Sequence, residues 1–190
     1  MENITAVIKG CAKKEYKYQK MVYENYFGFA LKLMFRYIYR YENAVDLVND
    51  GFVKLFQHFE RFVPGSDEDN EKMLLGYLKR IMVNCAIDEL RKNKMSPEIG
   101  GIPEYVWEMS NKDQDADQGL LYKELIILIK NLQPQYRAVF NMYVIDGYNH
   151  LEIADIMGIS AGTSKSCLSR ARTLLQNGIK KTEKAEICSI

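Results

Sequence analysis

The stretch 150–181 constrains the fold of this chain more than any other, because it reads as two helices joined by a tight turn. The first helix has apolar residues at helical spacing, namely Leu151, Ile153, Ala154 and Met157. Gly158 ends that helix, since glycine tolerates the positive φ of a helix terminus. Ser160 can cap the second helix, whose apolar side also recurs at helical spacing: Leu168, Ala171, Leu174 and Leu175. The pattern predicts a helix-turn-helix.

The second helix of this pair carries charge of one sign. Between Ser160 and Lys181 there is no acidic residue, and the basic residues are Lys165, Arg170, Arg172, Lys180 and Lys181. Hydroxyl side chains accompany them: Thr163, Ser164, Ser166 and Ser169. Phosphates and base edges bond to such groups, so this helix is predicted to lie in the major groove of DNA. The alternative is a surface helix with a solvated basic face.

Composition limits the class of protein. With 190 residues, 4 prolines and little alternation of apolar and polar residues, the chain is predicted to be all-α and to form one domain or two small ones. A net charge of +1 means that affinity for nucleic acid must come from local patches. The isolated cysteines Cys11, Cys85, Cys167 and Cys188 favour a reducing compartment over a metal site. Because no signal peptide or membrane-spanning run is apparent, the expected location is the cytoplasm.

Three helices are predicted in the first sixty residues. A short one carries Ile4, Val7, Ile8 and Cys11, and a longer one carries Tyr23, Tyr26, Phe27, Ala30, Leu31, Met34, Phe35 and Ile38. The third helix is expected to have Asn43 as its cap and Asp46 in its first turn. Its buried stripe consists of Val45, Val48, Phe52, Leu55, Phe56 and Phe59. Its other faces carry Asp46, Asn49, Asp50 and Lys54, which are either solvated or a docking site for a partner helix.

A loop is predicted over 62–72, because Pro64 and Gly65 precede a polar run. A helix resumes through Leu74 and continues to Leu90, with Lys79, Arg80, Asn84 and Arg91 on its polar side. Five basic residues stand against two acidic ones between Tyr77 and Lys94. A positive patch beside a loop suits single-stranded nucleic acid, whose bases stack and whose phosphates need cations. An ordinary surface loop is the alternative.

Two small helical domains joined by a flexible linker are the predicted architecture. The first domain is assigned to 1–94 and the linker to 95–119, which lacks periodicity, contains Trp107 and ends in an acidic stretch. The second domain is assigned to 120–182 and a frayed tail to 183–190. One helix face of the second domain carries Leu121, Leu125, Leu128 and Leu132, and Pro134 opens the next helix at its first position.

Three of these stretches, taken together, resemble bacterial sigma factors of the extracytoplasmic-function (ECF) group. The polymerase-binding helix of sigma region two is similar to AVDLVNDGFVKLFQHFERF. The helix of that region beside the −10 loop is similar to GYLKRIMVNCAIDELRK. Sigma region four is similar to the stretch 132–175 almost throughout, including its LSRAR segment. The short spacer, without a separate region-three domain, matches the ECF group.

The resemblance implies a protein that binds core RNA polymerase and directs it to promoter DNA. Region two is expected to dock on the clamp helices of the largest subunit through Asp46, Asn49, Asp50 and Lys54. The loop 62–72 is expected to capture a flipped base of the −10 element, and the implied −10 contacts are Phe62, Asn70, Lys79, Arg80, Asn84 and Arg91. Region four is expected to read the −35 duplex through Thr163, Ser164, Lys165, Ser166, Ser169, Arg170 and Arg172. An anti-sigma factor is the further partner that the group implies.

The chain departs from the pattern of that group at three places. Asn49 replaces the glutamine that is usual in the polymerase-binding helix. Ser164 stands where a valine normally packs the recognition helix against its neighbour. The −10 loop is unusually acidic, with Asp67, Glu68, Asp69 and Glu71.

Two other classes of protein explain fewer of these features. A stand-alone helix-turn-helix regulator accounts for region four, but it leaves the polar face of the third helix and the basic helix after Tyr77 without a shared purpose. An enzyme such as a nuclease lacks support, because His58 and His150 are far apart and no Gly-rich phosphate loop or nucleophile motif occurs. We therefore expect no catalytic residue, no metal, no cofactor and no small-molecule substrate.

Overall fold

A computed structural model of the chain describes residues 4–66, 69–95 and 125–187, with side chains up to 181. Within these ranges the regular structure is helical, as predicted, and no strand occurs. The chain divides into two compact units between Glu89 and Leu90. Residues 96–124 lie outside the described residues. They include Leu121 and, apart from Met95, the whole linker predicted over 95–119 with its Trp107. Among the described helices, none combines the length and apolarity that a bilayer crossing demands.

The first unit contains three α-helices, one 3₁₀ turn and most of a fourth α-helix, whose last residues, from Leu90, are assigned to the second unit. These are α1 (Ile4–Ala12), α2 (Tyr16–Met34), α3 (Tyr41–Gln57), the 3₁₀ turn (Phe59–Arg61) and α4 (Asn70–Lys92). The predicted apolar side of α1 is buried: Ile4, Val7, Ile8 and Cys11. Burial raises the pKa of the Cys11 thiol to about 12, so this cysteine behaves as a small core residue. Lys54 Nζ lies 3.4 Å from Cys85 Sγ, which links α3 to α4.

Helices α2 and α3 form an antiparallel pair. The ring centroids of Tyr23 and Phe52 are 4.9 Å apart, and those of Phe35 and Tyr41, at the short connection, are 6.2 Å apart. The predicted stripe of α2 extended to Phe35 and Ile38, but the helix ends at Met34. Both residues are nonetheless buried, because the chain turns over the core before α3 begins.

The predicted start of α3 is wrong by three residues. The helix begins at Tyr41 after Arg40, so Asn43 lies inside its first turn and does not cap it. Glu42 is the acidic residue in the first turn, and Asp46 falls in the second. The observed cap position, Arg40, makes no side-chain capping hydrogen bond, so the start of this helix carries no capping signal in the sequence.

Gly10 of α1 is in close contact with the ring of Tyr18 in α2. A Cβ atom on Gly10 would lie 2.6 Å from Cε2 of Tyr18 and closer still to other atoms of that ring. We expect Gly10→Ala to destabilise the protein by about 1–2 kcal/mol, because the overlap costs more than the helix propensity gained. The matched control is Gly76→Ala in α4, where a Cβ meets nothing within 4 Å and stabilisation of up to about 1 kcal/mol is expected. Urea unfolding measures both, and equal shifts would contradict the argument.

The second unit contains the helix-turn-helix. Residues 125–130 are helical and are followed by α5 (Pro134–Phe140), a π-helical segment (Asn141–Ile145), α6 (His150–Met157) and α7 (Ala161–Ile187). Pro134 occupies the start of α5, as predicted. One hydrophobic cluster of this unit consists of Ile129, Leu132, Ala171 and Leu175, against which Leu128, Tyr136 and Phe140 pack.

Two apolar residues of the helix-turn-helix are not buried as predicted. Leu151 is 74% exposed, because the short helix α6 buries only Ile153 and Met157, one turn apart on its other side. Leu174 is 48% exposed, since it lies about 100° around α7 from the buried Leu175. Helix α7 also continues to Ile187, so part of the predicted tail is helical.

Candidate nucleic-acid interface

Helix α6, the first helix of the helix-turn-helix, is defined by caps at both of its ends. Asn149 Oδ1 accepts hydrogen bonds from Leu151 N at 2.9 Å and from Glu152 N at 3.0 Å, and Glu152 Oε2 accepts one from Asn149 N at 2.8 Å. At the other end of α6, Gly158 has φ 63°, as its residue type predicts. This capping box was not predicted, although the Asn-x-x-Glu spacing before an apolar run signals it. Both ends of α6 are therefore held in one geometry.

Removal of the capping box tests how much it stabilises the start of α6. We expect Asn149→Ala to destabilise the second unit by about 1 kcal/mol, because two backbone N–H groups lose their acceptor. Glu152→Gln keeps a side chain that fits the same box, so it serves as a near-neutral control. The midpoint of thermal unfolding measures both variants. No difference between them would mean that the cap contributes nothing.

Ser160 caps α7, as predicted. Its Oγ accepts a hydrogen bond from Thr163 N at 2.9 Å and lies 2.8 Å from the Thr163 hydroxyl. Beyond this cap, α7 presents a continuous exposed face consisting of Lys165, Ser166, Ser169, Arg170 and Arg172. Thr163 is half-buried at the edge of that face. Six of the seven residues predicted for the −35 contact thus lie on one side of a well-defined helix end.

Ser164 is the exception among the predicted −35 contacts. It is fully buried, and its Oγ lies 2.9 Å from Nδ1 of His150 in α6. Its position also places it on the same side of α7 as the buried Cys167, Leu168 and Ala171. The structure therefore corrects this prediction, because the side chain points into the packing between α6 and α7 and away from solvent.

Two tyrosines near α5 hold arginines of α7. Arg170 Nη1 donates a hydrogen bond to the Tyr136 hydroxyl at 3.0 Å, and this bond raises the pKa of Arg170 above its usual value. The guanidinium of Arg172 lies 5.9 Å from the ring centroid of Tyr143, which also stacks on His150 at 4.5 Å. These tyrosines were missed because no local spacing links them to residues some thirty positions later. They restrict the orientations of both arginines.

In the first unit, α3 carries an exposed polar face. Asp46, Asn49, Asp50 and the half-exposed Val53 recur at spacings of three and four residues, so they share one side of the helix. Tyr23 donates a hydrogen bond from its hydroxyl to Asn49 Oδ1 at 2.9 Å, which orients the amide. Lys54 does not belong to this face, because its ammonium group lies against Cys85 of α4.

A cleft of about 320 Å³ opens between the end of α3 and the middle of α4. Its lining consists of Lys54, His58, Arg61, Tyr77, Ile81, Asn84 and Asp88. The Tyr77 hydroxyl donates a hydrogen bond to the backbone oxygen of His58 at 3.3 Å and thereby fixes the ring at the cleft wall. Of the predicted −10 contacts, Asn84 alone lies in this lining. Arg80 and Arg91 are exposed on α4 at spacings that place them on the same side as Asn84, and Lys79 is half-buried.

Phe62 and Asn70 are buried, which corrects their prediction as −10 contacts. The Phe62 ring packs between those of Phe59 and Tyr77, each with a centroid distance of 5.7 Å. Asn70 is 1% exposed; it donates to Thr5 Oγ1 at 3.0 Å and accepts from Gly65 N at 2.9 Å. The predicted loop 62–72 is also shorter, because α4 already begins at Asn70. Residues 67 and 68 of that loop lie outside the described residues.

Two further contacts organise the start of α4. The Tyr26 hydroxyl donates to Glu71 Oε1 at 2.8 Å. Burial and the Glu71 carboxylate both raise the pKa of Tyr26, so the phenol stays protonated. Ser66 Oγ donates to Asp69 Oδ2 at 2.8 Å. Acidic residues of the loop are thus used for internal structure at Asp69 and Glu71.

Comparison with known proteins identifies the class that this fold and these faces define. Residues 22–95 match the sequence model of sigma-70 region 2, and residues 122–175 match that of sigma-70 region 4. The two ranges together cover more than half of the chain, and the chain belongs to the sigma-70 family. Within that family it is an alternative sigma factor of the extracytoplasmic-function group, which directs promoter-specific transcription.

The relatives that support this assignment are distant in sequence. The chain is 25% identical over 154 residues to the ECF RNA polymerase sigma factor SigE of Mycolicibacterium smegmatis, an alignment that covers 79% of this chain and 57% of the relative. It is 23% identical over 163 residues to ECF RNA polymerase sigma factor SigW of Bacillus subtilis, covering 78% and 82%. It is 24% identical over 157 residues to the ECF RNA polymerase sigma-E factor of Haemophilus influenzae, covering 77% and 79%.

Proposed function

We propose that this chain binds core RNA polymerase through α3, captures the melted −10 strand at α4 and reads the −35 duplex with α7. The observation that carries the proposal is the capped α7, whose exposed face has hydroxyl and basic groups and no acidic group. The proposed domains are 1–94 for region two, 95–119 for the linker and 120–182 for region four. The family assignment supports both core polymerase and promoter DNA as partners.

For the −35 element, the proposed contacts are Thr163, Lys165, Ser166, Ser169, Arg170 and Arg172. A helix that enters the major groove contacts bases with residues near its N-terminus, and these residues follow directly after the Ser160 cap. Arg170 donates one hydrogen bond to Tyr136, and Arg172 contacts the Tyr143 ring. Each contact uses only part of the five N–H donors of a guanidinium. The remaining N–H groups are placed to meet phosphates or guanine edges.

For the −10 element, we propose that the captured base enters the cleft and not the loop 62–72. The loop residues Phe62 and Asn70 are occupied in the core, whereas the cleft is open and has the size of a small ligand pocket. Tyr77 offers a ring for stacking, Asn84 offers an amide for hydrogen bonding, and Lys54 and Arg61 offer cations for the adjoining phosphates. Arg80 and Arg91 extend the positive surface along α4.

For polymerase, we propose that the face Asp46, Asn49, Asp50 and Val53 docks on the clamp helices of the largest subunit. Two exposed carboxylates beside an exposed valine suit a partner surface with basic and apolar groups. Lys54 is left out of this contact because it turns toward the cleft. An anti-sigma factor is proposed as a second protein partner, in keeping with the ECF group, and the cytoplasm as the place where the chain meets polymerase.

The test is reconstitution with core RNA polymerase from the same host. A stable complex on a sizing column, followed by run-off transcription from genomic fragments, is the expected result. If the purified chain shifts duplex DNA but does not co-elute with core enzyme, a stand-alone regulator is the better account. If neither occurs with folded protein, both assignments fail.

A further inference from the structure

The corner between α1 and α2 carries a charge that the proposed function leaves unused. Residues 9–20 contain five lysines and one glutamate, although the whole chain has a net charge of only +1. All five are exposed: Lys9, Lys13, Lys14, Lys17 and Lys20. We call this group the lysine corner. Among them, Lys20 also pairs with Glu24 at 3.7 Å, and Lys17 lies 5.7 Å from the ring centroid of Tyr18.

The lysine corner is held in a defined shape. Gly10 allows the Tyr18 ring to pack directly on α1, and backbone bonds from Lys14 N to Cys11 O and from Glu15 N to Gly10 O close the turn at 2.9 and 3.0 Å. Lys14 has φ 60°, a conformation that favours glycine and costs a residue with a side chain. A lysine thus occupies a position where glycine would fold more easily, which points to a use for its charge.

The lysine corner lies at the same end of the first unit as the cleft. Helices α2 and α3 are antiparallel, and Tyr23 of α2 contacts Asn49 and Phe52 of α3. The start of α2 at Tyr16 is about 10 Å from Tyr23 along the helix axis. It therefore lies opposite the end of α3. That end carries His58 and Arg61, which line the cleft. Helix α1 also packs against the 3₁₀ turn that contains Arg61.

We propose that the lysine corner is a second DNA-binding surface, which holds the phosphate backbone of the promoter strand next to the base captured in the cleft. This inference rests on the proposed function of α4. Tyr16, which is 77% exposed among these lysines, adds an aromatic surface of the kind that stacks on unpaired bases. An anionic membrane is a poorer match, because the apolar side of α1 is buried in the core and unavailable for insertion.

The experiment measures promoter binding by the holoenzyme as a function of salt, with a promoter fragment found by run-off transcription. We expect the triple variant Lys13→Gln, Lys14→Gln and Lys17→Gln to make the negative slope of log K against log salt shallower by about 2, since each lost phosphate contact removes about 0.7–0.9 from its absolute value. The matched control replaces the same three residues with arginine, which retains the charge and is expected to keep the wild-type slope.

A second variant separates charge from folding. Lys14→Gly removes one charge and also removes the strain of a left-handed backbone conformation at this position. We therefore expect the melting temperature to stay equal or rise, while the negative salt slope becomes shallower by about 0.7. Stability and DNA binding then move in opposite directions, which a merely structural role of Lys14 does not produce.

The outcomes distinguish this inference from the proposed function. Equal slopes for wild type and the glutamine variant overturn the lysine corner as a DNA surface, while the proposed function stands if that holoenzyme still binds the promoter. If the glutamine variant loses core binding, the lysine corner binds an acidic protein surface and not DNA. If the wild-type chain binds phosphatidylglycerol vesicles and the glutamine variant keeps the wild-type salt slope for DNA, the lysine corner binds a membrane and not DNA. If wild-type holoenzyme binds no promoter, the proposed function itself fails.

Discussion

Replacing Arg170 and Arg172 with alanine is expected to weaken promoter binding about tenfold to hundredfold per residue and to leave binding to core polymerase unchanged. Each arginine is exposed on α7 and is oriented by a tyrosine, so each loses a contact of about 1–3 kcal/mol with DNA. Core binding is spared because the proposed docking face lies on α3 in the other unit. Electrophoretic mobility shift with holoenzyme measures the first quantity, and co-elution measures the second.

Two controls sharpen this experiment. Lys180→Ala removes a positive charge from the same helix far beyond its N-terminal turns, and we expect a much smaller effect. Tyr136→Phe removes only the hydroxyl that receives the Arg170 hydrogen bond, so an intermediate loss is expected. Equal loss of DNA and core binding in a folded Arg170→Ala protein would remove Arg170 from the recognition surface.

Replacing Asp50 with arginine is expected to weaken core polymerase binding by about a hundredfold or more. A like charge placed against a basic partner surface costs several kcal/mol at an interface, and Asp50 lies in the middle of the proposed docking face. The folded state is not expected to change, because the side chain is exposed. A competition binding assay with labelled wild-type chain and core enzyme measures the loss.

The matched control for Asp50→Arg is Glu24→Arg. It makes the same change of charge at an exposed position of α2, outside the proposed docking face, so core affinity is expected to fall much less. If Asp50→Arg binds core enzyme as tightly as wild type, α3 is not the docking helix. If both variants lose affinity equally, the effect is one of net charge and not of this face.

Local features explain why much of the helix-turn-helix was predictable. Gly158 adopts positive φ, Ser160 caps α7 and Pro134 opens α5, and each of these follows from the residue's own conformational preference. The start of α3 was not predictable in this way, because Arg40 at the cap position makes no side-chain capping hydrogen bond and Asn43, which could have made one, lies inside the helix. The resemblance to region two and region four agreed with the matched family ranges.

The all-helical class, the turn at Gly158 and the sign of charge on α7 could all be predicted from the amino-acid sequence, because spacing along one helix decides which residues share a side. Which residues meet across helices depends instead on the packing of the helices in three dimensions. This packing buried Ser164 against His150, joined Asn70 to Thr5 and Gly65, and built the cleft from residues of α3 and α4. These pairings depend on how helices cross and pack, and no periodicity within a single helix encodes that distance or angle.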